Sequence, residues 1–280
     1  MMNAALLATV HLTLLRLWVN DHSSSDMSRL IHSHLLLGSL CISPVLILSS
    51  SRPSPSVRKS WKIMPHSNKH GLLIVLHRAG YWATGHLHAQ WLGYAVQLMT
   101  KELPPTMVDP HFRSTIYHNY GNGLHELKQY SNAFEAYHEA VSIHHTLVKN
   151  DLAKYNFYFA RTLLNMGRAL SSLEKYDNAI VAYKEAVDIC TTMSAEDPLR
   201  YNELRARTLL NYGLTLQNLT QVSEAAVVEN QAISLLRNLA QPGNECTKLL
   251  CDALLNYGCS CHLLGQHAEA VLAYQESILL

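Results

Sequence analysis

Cysteine and histidine are the side chains best suited to chemistry in this sequence, and both cluster. Cys246, Cys251, Cys259 and Cys261 fall within sixteen residues. Structural zinc sites take thiolates in pairs separated by two to four residues. The observed spacing, C-x4-C-x7-C-x-C, forms no such pair. His86-x-His88 and His144-His145 are the other metal-like pairs. Adjacent side chains on a helix point about 100° apart, and no carboxylate is placed beside either pair, so these read as surface histidines. The chain has no G-x-S-x-G, no H-E-x-x-H, no glycine-rich phosphate loop and no paired acids set for a cleft. It reads as a non-enzyme, without catalytic residue, metal or cofactor.

A second polar pattern is periodic. Asn119-Tyr120-Gly121, Asn165-Met166-Gly167, Asn211-Tyr212-Gly213 and Asn256-Tyr257-Gly258 recur at spacings of 46, 46 and 45 residues. Three residues past each glycine stand Leu124, Leu170, Leu216 and Cys261. Twelve past stand Ala133, Ala179, Ala225 and Ala270, and sixteen past stand Tyr137, Tyr183, Glu229 and Tyr274. Nineteen past stand Ala140, Ala186, Ala232 and Ser277. Self-similarity at a fixed period of this size marks a stack of supersecondary units, each burying its apolar face on the next. Cys261 takes a core leucine's place and reads as a small buried hydrophobe. The recurring tyrosines read as packing residues.

Each unit reads as two antiparallel helices. Leu163, Met166 and Leu170 follow helical spacing in the first, around Gly167. Glycine costs about 1 kcal/mol relative to alanine inside a helix. Its recurrence at one phase implies close approach of the second helix's backbone at Ala179-type positions. Ser131, Asp177 and Ser223 are placed to N-cap the second helices. Asp197-Pro198 predicts the start of a first helix, and Gln241-Pro242-Gly243-Asn244 predicts an inter-repeat loop.

This pattern resembles the tetratricopeptide repeat over about 170 residues. Gly167, Ala179, Tyr183 and Ala186 meet that family's small-residue, alanine, aromatic and alanine positions. The period is longer than the family's usual one. It is closer to the repeats of kinesin light chains and of fungal signal-transduction NTPase receptors. The resemblance implies an all-α chain, an α-solenoid of stacked antiparallel helix pairs, whose first helices line a concave groove holding a peptide or protein partner. Asn119, Asn165, Asn211 and Asn256 would face that groove, where an amide both donates to and accepts from a peptide backbone. The competing reading is that they bond within the fold. Arg161, Arg168 and Arg207 fall on the same face and would favour an acidic ligand, with ordinary solvated arginines as the competing reading. The family's carboxylate clamp is not matched, because Leu164 and Leu210 stand at its positions. The implied function is a non-enzymatic protein-interaction scaffold. The alternative is the sensor arm of a larger signalling NTPase, to which a last repeat ending at Leu280 would correspond.

Composition divides the chain. The overall formal charge is +1, but residues 1–110 carry +5 and residues 111–280 carry −4. Such a balance gives no electrostatic footprint for nucleic acid. The reading places an extension without a core of its own at 1–70, a degenerate repeat at 71–110 and the repeat domain at 111–280. The upstream repeat rests on Tyr94-Ala95-Val96, 45 residues before Glu139-Ala140-Val141, with Leu76 at the glycine phase. Met1–Val19 is apolar but lacks the basic start of a secretory leader. Leu35–Leu48 is fourteen residues long, short of the roughly twenty needed to cross a bilayer. A cytoplasmic chain without a membrane anchor is expected, of no particular oligomeric state.

Overall fold

A computed structural model describes residues 66–82, 85–241 and 243–280. Of the expected extension 1–70, residues 1–65, with the apolar runs Met1–Val19 and Leu35–Leu48 and the serine-rich stretch after them, lie outside the described residues, and residues 66–70 open the first helix. Everything described is helix, turn or loop, and no strand occurs among the described residues. None of their helices is long and apolar enough to cross a membrane. The chain divides into two compact units, one ending at Leu127 and the other beginning at Lys128.

The first unit holds α1 (His66–Trp82), α2 (Gly85–Lys101) and α3 (Pro110–Glu126), with a 3-10 turn at Pro105–Met107 before α3. Helix α2 packs on both of its neighbours. Leu76 and Leu92 are buried where the later repeats carry glycine and tyrosine. The small residue is displaced one turn, to Gly80, where a Cβ would come within 2.6 Å of Leu92 Cγ. Lys69 on α1 is 4% exposed, and its Nζ lies 3.1 Å from Glu102 just beyond α2.

The second unit runs through α4 (Tyr130–Leu147), α5 (Leu152–Ser172), α6 (Tyr176–Met193), α7 (Pro198–Asn218), α8 (Val222–Leu239), α9 (Glu245–Leu263) and α10 (His267–Leu279). Each helix packs antiparallel on the next. The first helices α5, α7 and α9 also lie against one another in turn, so they form a continuous layer. Its apolar filling gathers around Leu163, Tyr183 and Leu216 and again around Leu209, Ile233 and Leu254.

First helices are capped by side chains. Asp109, Asp151, Asp197 and Asn244 each accept the backbone N–H three residues on, at 2.9, 3.0, 3.2 and 2.9 Å. This satisfies one of the donors that a helix start leaves open. Asp197-Pro198 starts α7 as the sequence predicts.

Second helices are different, and the expected caps Ser131, Asp177 and Ser223 are not caps. Helices α6 and α8 start from Lys175 and Gln221, with no side-chain bond at the cap, leaving Asp177 and Ser223 inside the first turn; α4 likewise starts from Gln129. The connection is too tight for a separate capping residue. Glu174, Thr220 and Gly265 take positive φ, and the next residue's N–H folds back to Leu170, Leu216 and Cys261 respectively. One left-handed residue thus closes the first helix and launches the second.

The glycine expectation also needs correcting. A Cβ on Gly167 would lie 2.5 Å from the Tyr183 ring, and one on Gly213 would lie 2.7 Å from Glu229 Cγ. The ring of Tyr274 stands equally close to Gly258. These glycines make room for a large side chain of the second helix, not for its backbone.

Candidate functional site

The asparagines singled out by their spacing occupy equivalent places on the first helices. Asn165 on α5, Asn211 on α7 and Asn256 on α9 are each half-buried. The Asn211 amide donates to the Arg207 carbonyl one turn back, at 2.8 Å. At Asn256 it is the backbone carbonyl that accepts, from Gln217 Nε2 at 3.2 Å. Asn119 belongs to the first unit. Its side-chain amide donates to His77 Nε2 at 3.2 Å, and its backbone carbonyl accepts from His88 Nε2 at 3.1 Å. Burial, and then the Arg78 charge, hold His77 below the ordinary imidazole range.

The three arginines differ in surroundings. Arg168 is exposed. Arg161 lies 5.9 and 5.6 Å from the ring centroids of Phe157 and Tyr158 on its own helix. Arg207 is held by acids: its Nε and Nη2 donate to Glu203 Oε1 at 3.1 and 2.9 Å, and Glu245 lies 3.8 Å away. A ligand carboxylate would compete there with a charge already present.

Two features went unnoticed in the sequence. Arg200, in the first turn of α7, lays its guanidinium 3.6 Å from the Phe157 ring centroid and 5.7 Å from that of Tyr158. Tyr201 meets the same Phe157 ring edge-on at 5.7 Å. Nothing in the spacing marks this cluster, because Arg200 has only Lys154 as its equivalent one repeat earlier. The other is Glu229, the exception in the tyrosine series. It is 0% exposed, and Gln217 Nε2 and Ser260 Oγ donate to its two oxygens at 2.8 Å each. Burial pushes this carboxyl up to about 7, against the pull of those two hydrogen bonds. The broken series was a visible signal.

Of the cysteines and histidines, Cys261 is fully buried, as its leucine phase implies. His144 is not a surface histidine. It is 2% exposed, because the last turn of α4 packs on α5 and sets the His144 and His145 rings 6.1 and 4.7 Å from Phe159. His88 is half-buried beside α3 through its bond to Asn119. Among the described residues no group of three or more His, Cys, Asp or Glu side chains is placed to hold a metal.

Known proteins bear on this arrangement in two ways. Residues 160–192, which are the end of α5, the turn and nearly all of α6, match the tetratricopeptide repeat family. Among solved structures, the TPR-like repeats assigned to a kinesin light chain of Podosopora anserina superpose with a TM-score of 0.56 at 15% identity, covering 78% of this chain and 96% of that one. BtubC (BKLC) of P. vanneervenii gives 0.58 at 15% identity, covering 88% and 89%. Aspartyl phosphate phosphatase F of Bacillus subtilis gives 0.62 at 14% identity, covering 99% and 72%. At these identities the likeness is one of fold. No curated protein matches the chain in sequence.

Proposed function

We propose, from tetratricopeptide-type helical repeats that resemble those of a kinesin light chain, that the chain is a non-enzymatic protein-interaction scaffold that binds a peptide or protein segment along the layer of first helices α5, α7 and α9. The observation that carries the reading is the repetition of one half-buried asparagine, Asn165, Asn211 and Asn256, on three adjoining helices. Amides at a regular interval can pair with the backbone of an extended segment and give affinity with little sequence preference. Arg161 and Arg168 on α5 add positive charge at one end, which favours an acidic segment. At α7, Glu203 and Glu245 offset Arg207, so acidic preference concentrates over α5.

The test is selection of binding peptides from a displayed random library with the full chain. The triple variant N165A/N211A/N256A is compared with wild type after far-ultraviolet circular dichroism has established equal helicity. Wild type should enrich a peptide set that the triple variant fails to capture. Equal capture by both proteins would remove the asparagine layer from the site, and no enrichment by wild type would overturn the peptide-binding reading.

A further inference from the structure

Successive repeats in the second unit are joined by polar clusters built on one plan. Between α5, α6 and α7, the Ser171 hydroxyl lies 3.1 Å from Thr215, and the Tyr183 phenol is within the influence of the Thr215 hydroxyl. Between α7, α8 and α9 the same three places, 46, 45 and 46 residues further on, hold Gln217, Ser260 and Glu229. Gln217 Nε2 donates to Glu229 Oε1 and approaches Ser260 Oγ at 2.8 Å each, and reaches the Asn256 carbonyl at 3.2 Å. Ser260 Oγ donates to Glu229 Oε2 at 2.8 Å. The exchange of phenol for carboxyl turns a group that stays neutral near neutral pH into one that does not.

This cluster accepts the carboxyl in either form. With Glu229 ionised, Gln217 and Ser260 both donate to it. With Glu229 protonated, its O–H can donate to Ser260 Oγ while Gln217 still donates to the other oxygen. Hydrogen bonding therefore changes little, and the difference lies in solvation. A fully buried carboxylate held by neutral donors alone is costly unless water or a cation reaches it. Helix α7 presents Gln217 and Gly213 to it. On α9, Tyr257 feels the Glu229 charge, and the other titratable groups acting on Tyr257 are Cys261 on α9 and Glu269 on α10, none of them cationic. No charged side chain is among the influences on Glu229 itself.

We propose that the Glu229–Gln217–Ser260 cluster is a proton-operated joint, in which protonated Glu229 keeps α9 and α10 docked on α7 and α8, and ionisation loosens that docking by drawing water to the carboxylate. The Tyr183–Thr215–Ser171 cluster is the internal reference, the same joint without the proton.

Hydrogen exchange of the full chain tests this between about pH 5.5 and about pH 8.5, with amide rates corrected for their intrinsic pH dependence. Protection of α9 should fall by about tenfold relative to α5 as pH rises, since one unit of differential proton affinity is a tenfold change in the opening equilibrium. In E229Q that relative fall should vanish. A wild-type α9 whose protection tracks α5 at every pH, or a fall retained in E229Q, overturns the joint. Should E229Q not fold, the Glu229 carboxyl carbon is titrated by NMR in the wild-type chain. A midpoint near 7 supports the joint, and an ordinary carboxylate midpoint overturns it.

Discussion

Glu229 occupies on α8 the place that Tyr183 occupies on α6, and each fills the space left by a glycine one helix earlier. A Cβ would lie 2.7 Å from Glu229 at Gly213 and 2.5 Å from Tyr183 at Gly167. The same cavity in the repeat therefore serves an aromatic ring at one junction and a carboxyl at the next. What differs is the response to protons.

That difference sets a pH dependence with a definite sign. The folded chain holds the Glu229 proton up to about 7, against an ordinary value of 4.5. Between these values the unfolded chain has lost a proton that the folded chain keeps, so rising pH favours unfolding through this window and has no further effect above it. The Glu229 contribution falls by an amount on the order of 3 kcal/mol at most. Thermal midpoints of wild type and E229Q should therefore differ in slope between about pH 4.5 and about pH 7, with E229Q losing less as pH rises. Parallel profiles would refute this.

The glycines divide by what faces them. Gly167→Ala puts a methyl against the Tyr183 ring, which is buried and cannot swing away, and should destabilise the chain by about 1–3 kcal/mol. Gly71 lies in α1 with open space around its missing Cβ. Gly71→Ala should be neutral or stabilise by up to about 1 kcal/mol through helix propensity. Urea denaturation of both variants measures the contrast.

The helix pairs of the second unit, α5–α6, α7–α8 and α9–α10, were legible because the repeat puts the same small and apolar residues at the same phase in each. The turns were not. Ser131, Asp177 and Ser223 look like caps by type, but the positive-φ residue just before each second helix leaves no position for one. The first-helix caps were half legible: Asp109-Pro110 has the same form as Asp197-Pro198, whereas Asp151 is followed by leucine. The candidate site was legible as a list of phases only. The Glu203–Arg207 pair was readable as an i,i+4 spacing on α7; that Glu245 also approaches Arg207, and that Arg200 rather than Arg161 makes the closer contact with Phe157, depends on how α5 lies on α7, α7 on α9.

His77 should act on pH with the opposite sign. It is packed edge-on against Phe112 at 5.0 Å and bonded to Asn119, and burial with the Arg78 charge lowers its pKa from 6.5. As pH falls through 6.5 the unfolded chain takes up a proton that the folded chain resists, so stability is lost on acidification. Amide protection in α1 and α3 should drop below about pH 6.5 in wild type and much less in H77Q. Equal drops in the two proteins would exclude His77 as the cause.

Arg200 and Phe157 tie the start of α7 to α5. A guanidinium 3.6 Å from a ring centroid is close stacking, and exposed pairs of this kind couple by about 0.5–1 kcal/mol. A double-mutant cycle of R200A and F157L should return a coupling in that range, larger than the cycle of R161A with F157L, where the separation is 5.9 Å. Coupling near zero for both pairs would reduce the cluster to ordinary packing.

Lys69 and Glu102 should prove unequal partners. The Lys69 side chain is 5% exposed and that of Glu102 is 32% exposed, with 3.1 Å between their charges. Removing the acid withdraws the Glu102 charge from a buried ammonium, whereas removing the lysine leaves a carboxylate that water can reach. E102Q should therefore destabilise the first unit by about 3 kcal/mol, while K69M, which keeps the apolar stem and drops the charge, should cost about 1 kcal/mol or less. Fluorescence of Trp91, buried in α2, follows the unfolding of this unit in urea. Equal losses in the two variants would mean that the pair contributes as a surface bridge and that burial of Lys69 carries no penalty of its own.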